Sequence, residues 1–336
     1  MINKLYEKIK LFIKKNFKFL LVIIIAFFLS TFKLPFYIDG PGGLINVNDK
    51  ITIENSNNIN GSINLSYVTE LKATIPVYIF ALFNKDYDVI NAEEMKYDNE
   101  SYKEALFRSD LLLEESTKNA TYVAYKKANK EINIINNKIY VTYIEDNKTT
   151  DLKIGDQLLK INDTKIENKE HLYNILSNYE ENDTINITVL NNDKEYIRTA
   201  TMKKQDDRII IGILITEIFD LETKPQIEYN FDKSETGPSG GLMLSLAIYD
   251  YLTDDDLTKG RTIVGTGTID SEGNVGEIGG VKYKLKGAIK NNADIFIVPT
   301  GENYEEVIDL VKENNYDIKI IEAITFDQVI EQLKNS

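Results

Sequence analysis

Thr236-Gly237-Pro238-Ser239-Gly240-Gly241 opens directly into the apolar run Leu242–Leu252. A lone serine in a Gly/Pro turn before a buried helix sits among unpaired backbone N–H groups, at the positive end of the helix dipole. Such a serine is either a helix cap in a tight turn or a nucleophile whose oxyanion the N–H groups would stabilise. What separates the two readings lies 45 residues on, in Gly279-Gly280-Val281-Lys282-Tyr283-Lys284.

The surrounding pattern is that of an α/β domain. From Arg208 the chain runs through the apolar stretch Ile209–Ile215 and a short strand at Gln226–Tyr229 to the Ser239 turn and its helix. Arg261–Ile269, containing Gly265-Thr266-Gly267-Thr268, reads as a strand leading to a turn at Asp270–Gly273. Lys282–Asn291 reads as a helix, Asp294–Pro299 as a buried strand and Tyr304–Asn314 as a helix, with Ile318–Ile321 and Phe326–Leu333 closing as strand and helix. Strands alternating with helices indicate layered α/β packing.

Composition narrows the chemistry. There is no Cys and one His, His171, in the ordinary amphipathic segment Lys169–Tyr179, where a solvent-facing helix position is expected. Thiol catalysis, disulfides and thiolate metal sites are excluded, a zinc site is not expected, and no cofactor is called for. A serine hydroxyl needs a base, and without a histidine to spare that base is a carboxylate or a lysine. A lysine that is half neutral near pH 7 requires its pKa to fall by about three units, which burial and hydroxyl hydrogen bonds supply. The glycine-rich, charge-poor runs at 265–268 and 278–281 offer such surroundings.

These motifs resemble the proteolytic domain of the Lon family, over residues 208–333. The family's Gly-Pro-Ser-Ala-Gly corresponds to Gly237-Pro238-Ser239-Gly240-Gly241, and the second lysine of its Gly-Gly-x-Lys-x-Lys corresponds to Lys284. Its Thr-Gly-x-Ile corresponds to Thr266-Gly267-Thr268-Ile269. The resemblance implies a Ser239–Lys284 dyad, with the Thr266 hydroxyl supporting the lysine and backbone N–H groups around Gly237–Gly240 receiving the oxyanion. Gly240 replaces the usual Ala, and Thr236 stands where the family often has Asp. A motor would need a phosphate loop ending in Gly-Lys-Ser/Thr, but the dipeptide Gly-Lys is absent. No nucleotide is expected.

Upstream, Leu152-Lys153-Ile154-Gly155-Asp156-Gln157-Leu158-Leu159-Lys160-Ile161-Asn162 resembles the core signature of a PDZ domain. Lys138–Ile144 and Thr184–Leu190 read as strands, 168–179 as a helix, and Asn191-Asn192-Asp193 as a hairpin turn. The resemblance implies peptide binding by strand addition, to C-termini or to internal strands.

The formal charge is −14, yet residues 1–18 hold six Lys and one Glu, leaving −19 on the remainder. An acidic body without clustered Lys/Arg argues against nucleic acid. The lysines precede the uncharged run Phe19–Phe32, and Leu34–Ile38 extends its apolar character. This pattern predicts an uncleaved transmembrane anchor over 19–38, N-terminus cytoplasmic and the rest outside. A cleaved signal peptide is the competing reading, without an Ala-x-Ala-like site. Asp39-Gly40-Pro41-Gly42-Gly43 reads as a turn, Ile51–Ile53, Ser62–Val68 and Ala73–Tyr78 as strands, and Tyr102–Ala128 as a helix.

The expected architecture is therefore α+β multidomain: a basic tail (1–18), a transmembrane helix (19–38), a connecting α/β region (39–130), a β-rich PDZ-like domain (131–205) and an α/β Lon-type proteolytic domain (206–336). Taken in order, these resemble the membrane-bound, ATP-independent PDZ–Lon proteases. The implied activity is a serine endopeptidase acting on extracytoplasmic peptides or proteins, with a homo-oligomer possible. A catalytically inactive peptide-binding adaptor is the alternative.

Overall fold

The computed structural model describes residues 2–54, 56–57, 59–94, 97, 100–145, 149–206, 208–232, 235 and 237–336; Thr236 of the serine motif lies outside them. The chain divides into two compact units, Met1–Pro41 with Val68–Met95, and Gly42–Tyr67 with Lys96–Ser336.

The smaller unit begins with a helix, Ile2–Thr31, kinked at Asn16, where φ/ψ leave the helical region and the side-chain amide donates to the Phe12 carbonyl. The helix ends at Thr31, and Lys33–Asn46 is a strand. This corrects the anchor predicted over 19–38. The apolar character of Leu34, Phe36 and Ile38 belongs to a period-two strand that packs on Ala73 and Ala81, not to a continuing helix. The uncharged helical stretch Phe19–Thr31 is about 20 Å long at 1.5 Å per residue, against a hydrocarbon core of about 30 Å. Among the described residues no helix is long and apolar enough to cross a membrane.

The same strand replaces the turn expected at Asp39–Gly43. Its Gly40 is needed for close approach, since a Cβ there would lie 2.4 Å from the Tyr87 ring. Phe36–Asp39 pairs antiparallel with Asp88–Asn91. Ala73–Tyr78, expected as a strand, instead leads into the helix Ile75–Leu82. Pro76 stands in the first turn, where its fixed φ suits a helix start, and an all-apolar run carries no period to distinguish the two.

In the larger unit, one sheet is antiparallel, ordered 213–224, 131–144, 157–161, 184–191, 194–201. Ile139, Val141, Leu158, Ile161, Ile185, Ile187 and Val189 fill its core with Leu172 and Ile175 of the helix Lys169–Leu176. Asn168 caps that helix by accepting from the His171 N–H. His171 is half-buried on the helix rather than fully solvent-facing. The Gly155-Asp156 signature has a clear physical basis. Gly155 takes φ +89°, and the buried Asp156 carboxylate accepts from the Lys153 N–H (2.8 Å), Asn191 Nδ2 (2.7 Å) and Arg198 Nε (3.2 Å).

Four strands of this unit pair in parallel. Thr262–Gly265 pairs with Ser62–Leu65 on one side and with Ile295–Ile297 on the other, and Ile295–Pro299 pairs with Lys319–Ala323. Residues 62–65 and Ile51–Ile53, the latter paired with Ile227–Tyr229, thus come from the stretch read as a connector and complete the C-terminal α/β fold. The helix Gly241–Leu252 is buried at eleven of its twelve positions, as expected of a helix apolar on every face. It packs against the long helix Tyr102–Lys127, which carries a full capping box from Ser101 and Glu104.

Candidate active site

Ser239 lies half-buried in the turn that precedes the buried helix. It is not the helix cap: Gly240 holds that position, with no side-chain capping bond. Gly237 adopts φ +84°, a conformation that favours glycine. A Cβ on Gly241 would fall 2.5 Å from Ser116 Oγ and 2.8 Å from Ile269 Cγ2, so the turn is packed as closely as its glycines allow. The extra methyl of an Ala at Gly240 would meet Leu65 Cδ2 at 2.9 Å.

The backbone donors of the turn are not equivalent. The Gly237 N–H donates to the Ser109 carbonyl, the Gly241 N–H to the Pro238 carbonyl and the Leu242 N–H to the Gly267 carbonyl. Among the described residues, the N–H groups of Ser239 and Gly240 have no acceptor. Among the described turn residues, they are the donors left for an incoming anion.

Lys284 comes from the helix Val281–Lys290, which starts at Gly280 with φ +68°. Its neighbours Lys282 and Lys286 are only half-buried, and Lys282 Nζ rests 4.8 Å from the Tyr283 ring centre. Lys284 itself is 4% exposed. Desolvation pushes its pKa down from 10.5 to about 8, because removing an ammonium from water disfavours the charged form. Nζ donates to Thr266 Oγ1 at 3.1 Å, and that hydroxyl donates to the Ser239 carbonyl at 3.0 Å. Thr266 is fully buried. The Gly267 N–H donates to the same Ser239 carbonyl at 2.8 Å. The three residues singled out in the sequence, Ser239, Thr266 and Lys284, are thus joined in one hydrogen-bonded chain.

Four contributors were not legible in the sequence. From the helix Tyr102–Lys127, the Ser109 carbonyl takes the Gly237 N–H, Ser116 Oγ donates to the Pro238 carbonyl at 3.0 Å, and Asn119 Nδ2 donates to the Ile269 carbonyl at 3.1 Å. From the strand that begins at Ser62, buried Ser66 donates to the Lys284 carbonyl at 2.7 Å. The available signal was that Ser109, Ser116 and Asn119 recur at helical spacing, but nothing local says what faces them. Beside the turn, a cleft of about 340 Å³ is lined by Leu112, Glu115, Pro238, Ile269, Asn274 and Val275 among others. It is large enough for a side chain of a bound peptide.

Residues 233–335 match the Lon protease (S16) C-terminal proteolytic domain, and residues 115–201 match the PDZ domain. The chain is 35% identical over 94 residues to the Lon protease of Campylobacter concisus, covering 28% of this chain and 11% of that protein. It is 29% identical over 111 residues to Lon protease 2 of Borreliella burgdorferi, covering 32% of this chain and 14% of that protein. A third relative, the Lon protease of Campylobacter jejuni, is 35% identical over 96 residues, covering 28% of this chain and 12% of that protein. The chain therefore spans little more than a tenth of the length of these curated relatives, and the matches lie in the C-terminal domain alone. A PDZ domain followed by a Lon-type S16 proteolytic domain, without the Lon ATPase, is what these 336 residues contain.

Proposed function

We propose that the protein is an ATP-independent serine endopeptidase using Ser239 and Lys284. The observation that carries this is the buried lysine, its pKa lowered to about 8 by desolvation, tied through Thr266 to the backbone of Ser239. Neutral Lys284 takes the hydroxyl proton as Ser239 Oγ bonds to the scissile carbonyl carbon. The N–H groups of Ser239 and Gly240 receive the oxyanion. Lys284 then passes the proton to the leaving amine as the C–N bond breaks, and water attacks the acyl-enzyme with the lysine again as base. The PDZ domain holds an extended peptide beside one of its strands and presents it to the site.

The proposed location is a membrane, with the lysine-rich N-terminus on the cytoplasmic side and the catalytic unit outside. Support comes from the helix beyond the Asn16 kink, where Phe19, Val22, Ile24, Phe27 and Phe28 are each more than half exposed, an arrangement that water does not favour. Because its uncharged stretch is shorter than the hydrocarbon core, the bilayer thins locally or the flanking lysines snorkel.

The deciding experiment incubates the full-length protein, without nucleotide, with a serine-reactive peptidyl probe and locates the adduct by mass spectrometry. An adduct at Ser239, lost in Ser239→Ala, is expected. Folded protein with no adduct there would leave a peptide-binding adaptor as the function. Ser116→Ala tests the positioning of the turn. It is expected to lower kcat about tenfold while changing KM little, because a slightly displaced nucleophile loses near-attack geometry. Stability should fall by only about 1 kcal/mol, the usual worth of one hydrogen bond. An unchanged kcat would show that the turn holds itself.

A further inference from the structure

The helix Ile75–Leu82 and the following Phe83 contain no charged residue and sit in the smaller unit. One side of the helix is buried: Ala81 lies in the core with Ile38 and Ala73, and the Tyr78 ring centre is 5.2 Å from that of Phe36. Among the described residues the other side is covered only where the Tyr87 ring meets Phe80 edge-on, with centres 5.4 Å apart. Ile79, Phe80 and Leu82 are half or more exposed, and Phe83 is 87% exposed. So many large apolar side chains within five residues form a patch that soluble monomers rarely leave in water.

Two observations indicate what covers it. The helix packs against the N-terminal helix of the same unit, whose Phe19–Phe28 stretch is apolar and exposed at every position but Leu20. Lys72 and Lys85 border the apolar segment and Tyr87 lies beside Phe80, lysine and tyrosine being residue types that anchor at a lipid–water interface.

We infer that Ile79–Phe83 inserts into the interfacial layer of a lipid bilayer, as a second membrane contact beside the N-terminal helix. This rests on the membrane location proposed above. It adds that the smaller unit is held against the lipid surface at two points instead of hanging from one.

The absence of cysteine makes the test direct. Leu82→Cys, Phe27→Cys and Lys290→Cys, each introduced alone into the full-length chain, give single sites for an environment-sensitive fluorophore. The labelled proteins are reconstituted into phosphatidylcholine/phosphatidylglycerol vesicles containing doxyl-labelled lipid. Blue-shifted, lipid-quenched emission at 82 and at 27, with water-like emission at 290, is the expected result. Adding Phe83→Glu should abolish quenching at 82 and leave it unchanged at 27. Quenching at 27 with water-like emission at 82 overturns this inference while the membrane location stands. Quenching at neither position overturns both. A blue shift at 82 that needs no lipid and grows with protein concentration also overturns it, showing a contact between copies of the chain.

Discussion

Lys284→Met is expected to abolish peptide hydrolysis and, at neutral pH, to stabilise the C-terminal α/β fold by roughly 3 kcal/mol. The two effects share one cause. Lys284 is 4% exposed, and its pKa is pushed from 10.5 down to about 8 by desolvation alone. Between pH 8 and 10.5 the unfolded chain holds a proton that the folded one has released, so stability rises with pH through that window. Below about pH 8 both states are protonated, and folding carries the full penalty of a buried ammonium. Methionine keeps the volume and removes the charge, so the penalty disappears. Thermal unfolding of the variant should move upward by several degrees at pH 7, and the difference from wild type should shrink towards pH 10.5.

The same pKa sets the activity profile. For wild type, kcat/KM should climb as pH rises through about 8 and level off above it, since only the neutral amine accepts the serine proton. Hydrolysis retained in Lys284→Met would sink the assignment of the base. An inactive variant no more stable than wild type would mean that the ammonium is solvated in the folded protein.

The second large effect belongs to the PDZ domain. Asp156→Ala is expected to destabilise the sheet spanning 131–224 by roughly 3–5 kcal/mol, because it leaves a largely buried guanidinium unpaired. The Asp156 side chain has no exposed surface and Arg198 only 14%. The loss also strips acceptors from the Lys153 N–H and Asn191. Hydrogen exchange on the full-length protein is the measurement. Amides of 157–161 and 184–201 should lose protection, whereas those of the helix Gly241–Leu252 should keep theirs. Equal protection throughout in the variant would show that the turn stands without its carboxylate. Arg198→Met should be milder, since Asp156 keeps two of its donors.

Legibility from sequence followed the range of the interactions involved. The PDZ strands, the buried helix after Ser239 and the helix bearing Lys284 were readable because each carries its own periodicity, turn residues or caps within a few positions. The misreadings fell where local signals are degenerate. Leu34, Phe36 and Ile38 look like the tail of an apolar helix until a sheet partner at Asp88–Asn91 selects a strand. Ile75–Leu82 is apolar at nearly every position and looks like a strand until Pro76 begins a helix. Gly40 looks like a turn but accommodates the Tyr87 ring.

At the candidate site the division is sharper. The residue types, their order and the lack of a rival thiol or imidazole were fixed by sequence alone, because chemistry is a property of side chains and of which ones are absent. Burial was decided by tertiary structure. Only packing distinguishes Lys284, buried and with its pKa lowered, from Lys282 on the same helix. Only packing occupies the Gly237 N–H with the Ser109 carbonyl while leaving those of Ser239 and Gly240 without an acceptor among the described residues. Ser66, Ser116 and Asn119 reach the site from more than a hundred residues away. A hydrogen bond depends on where two atoms lie in space, and at such separations along the chain only the completed fold fixes that.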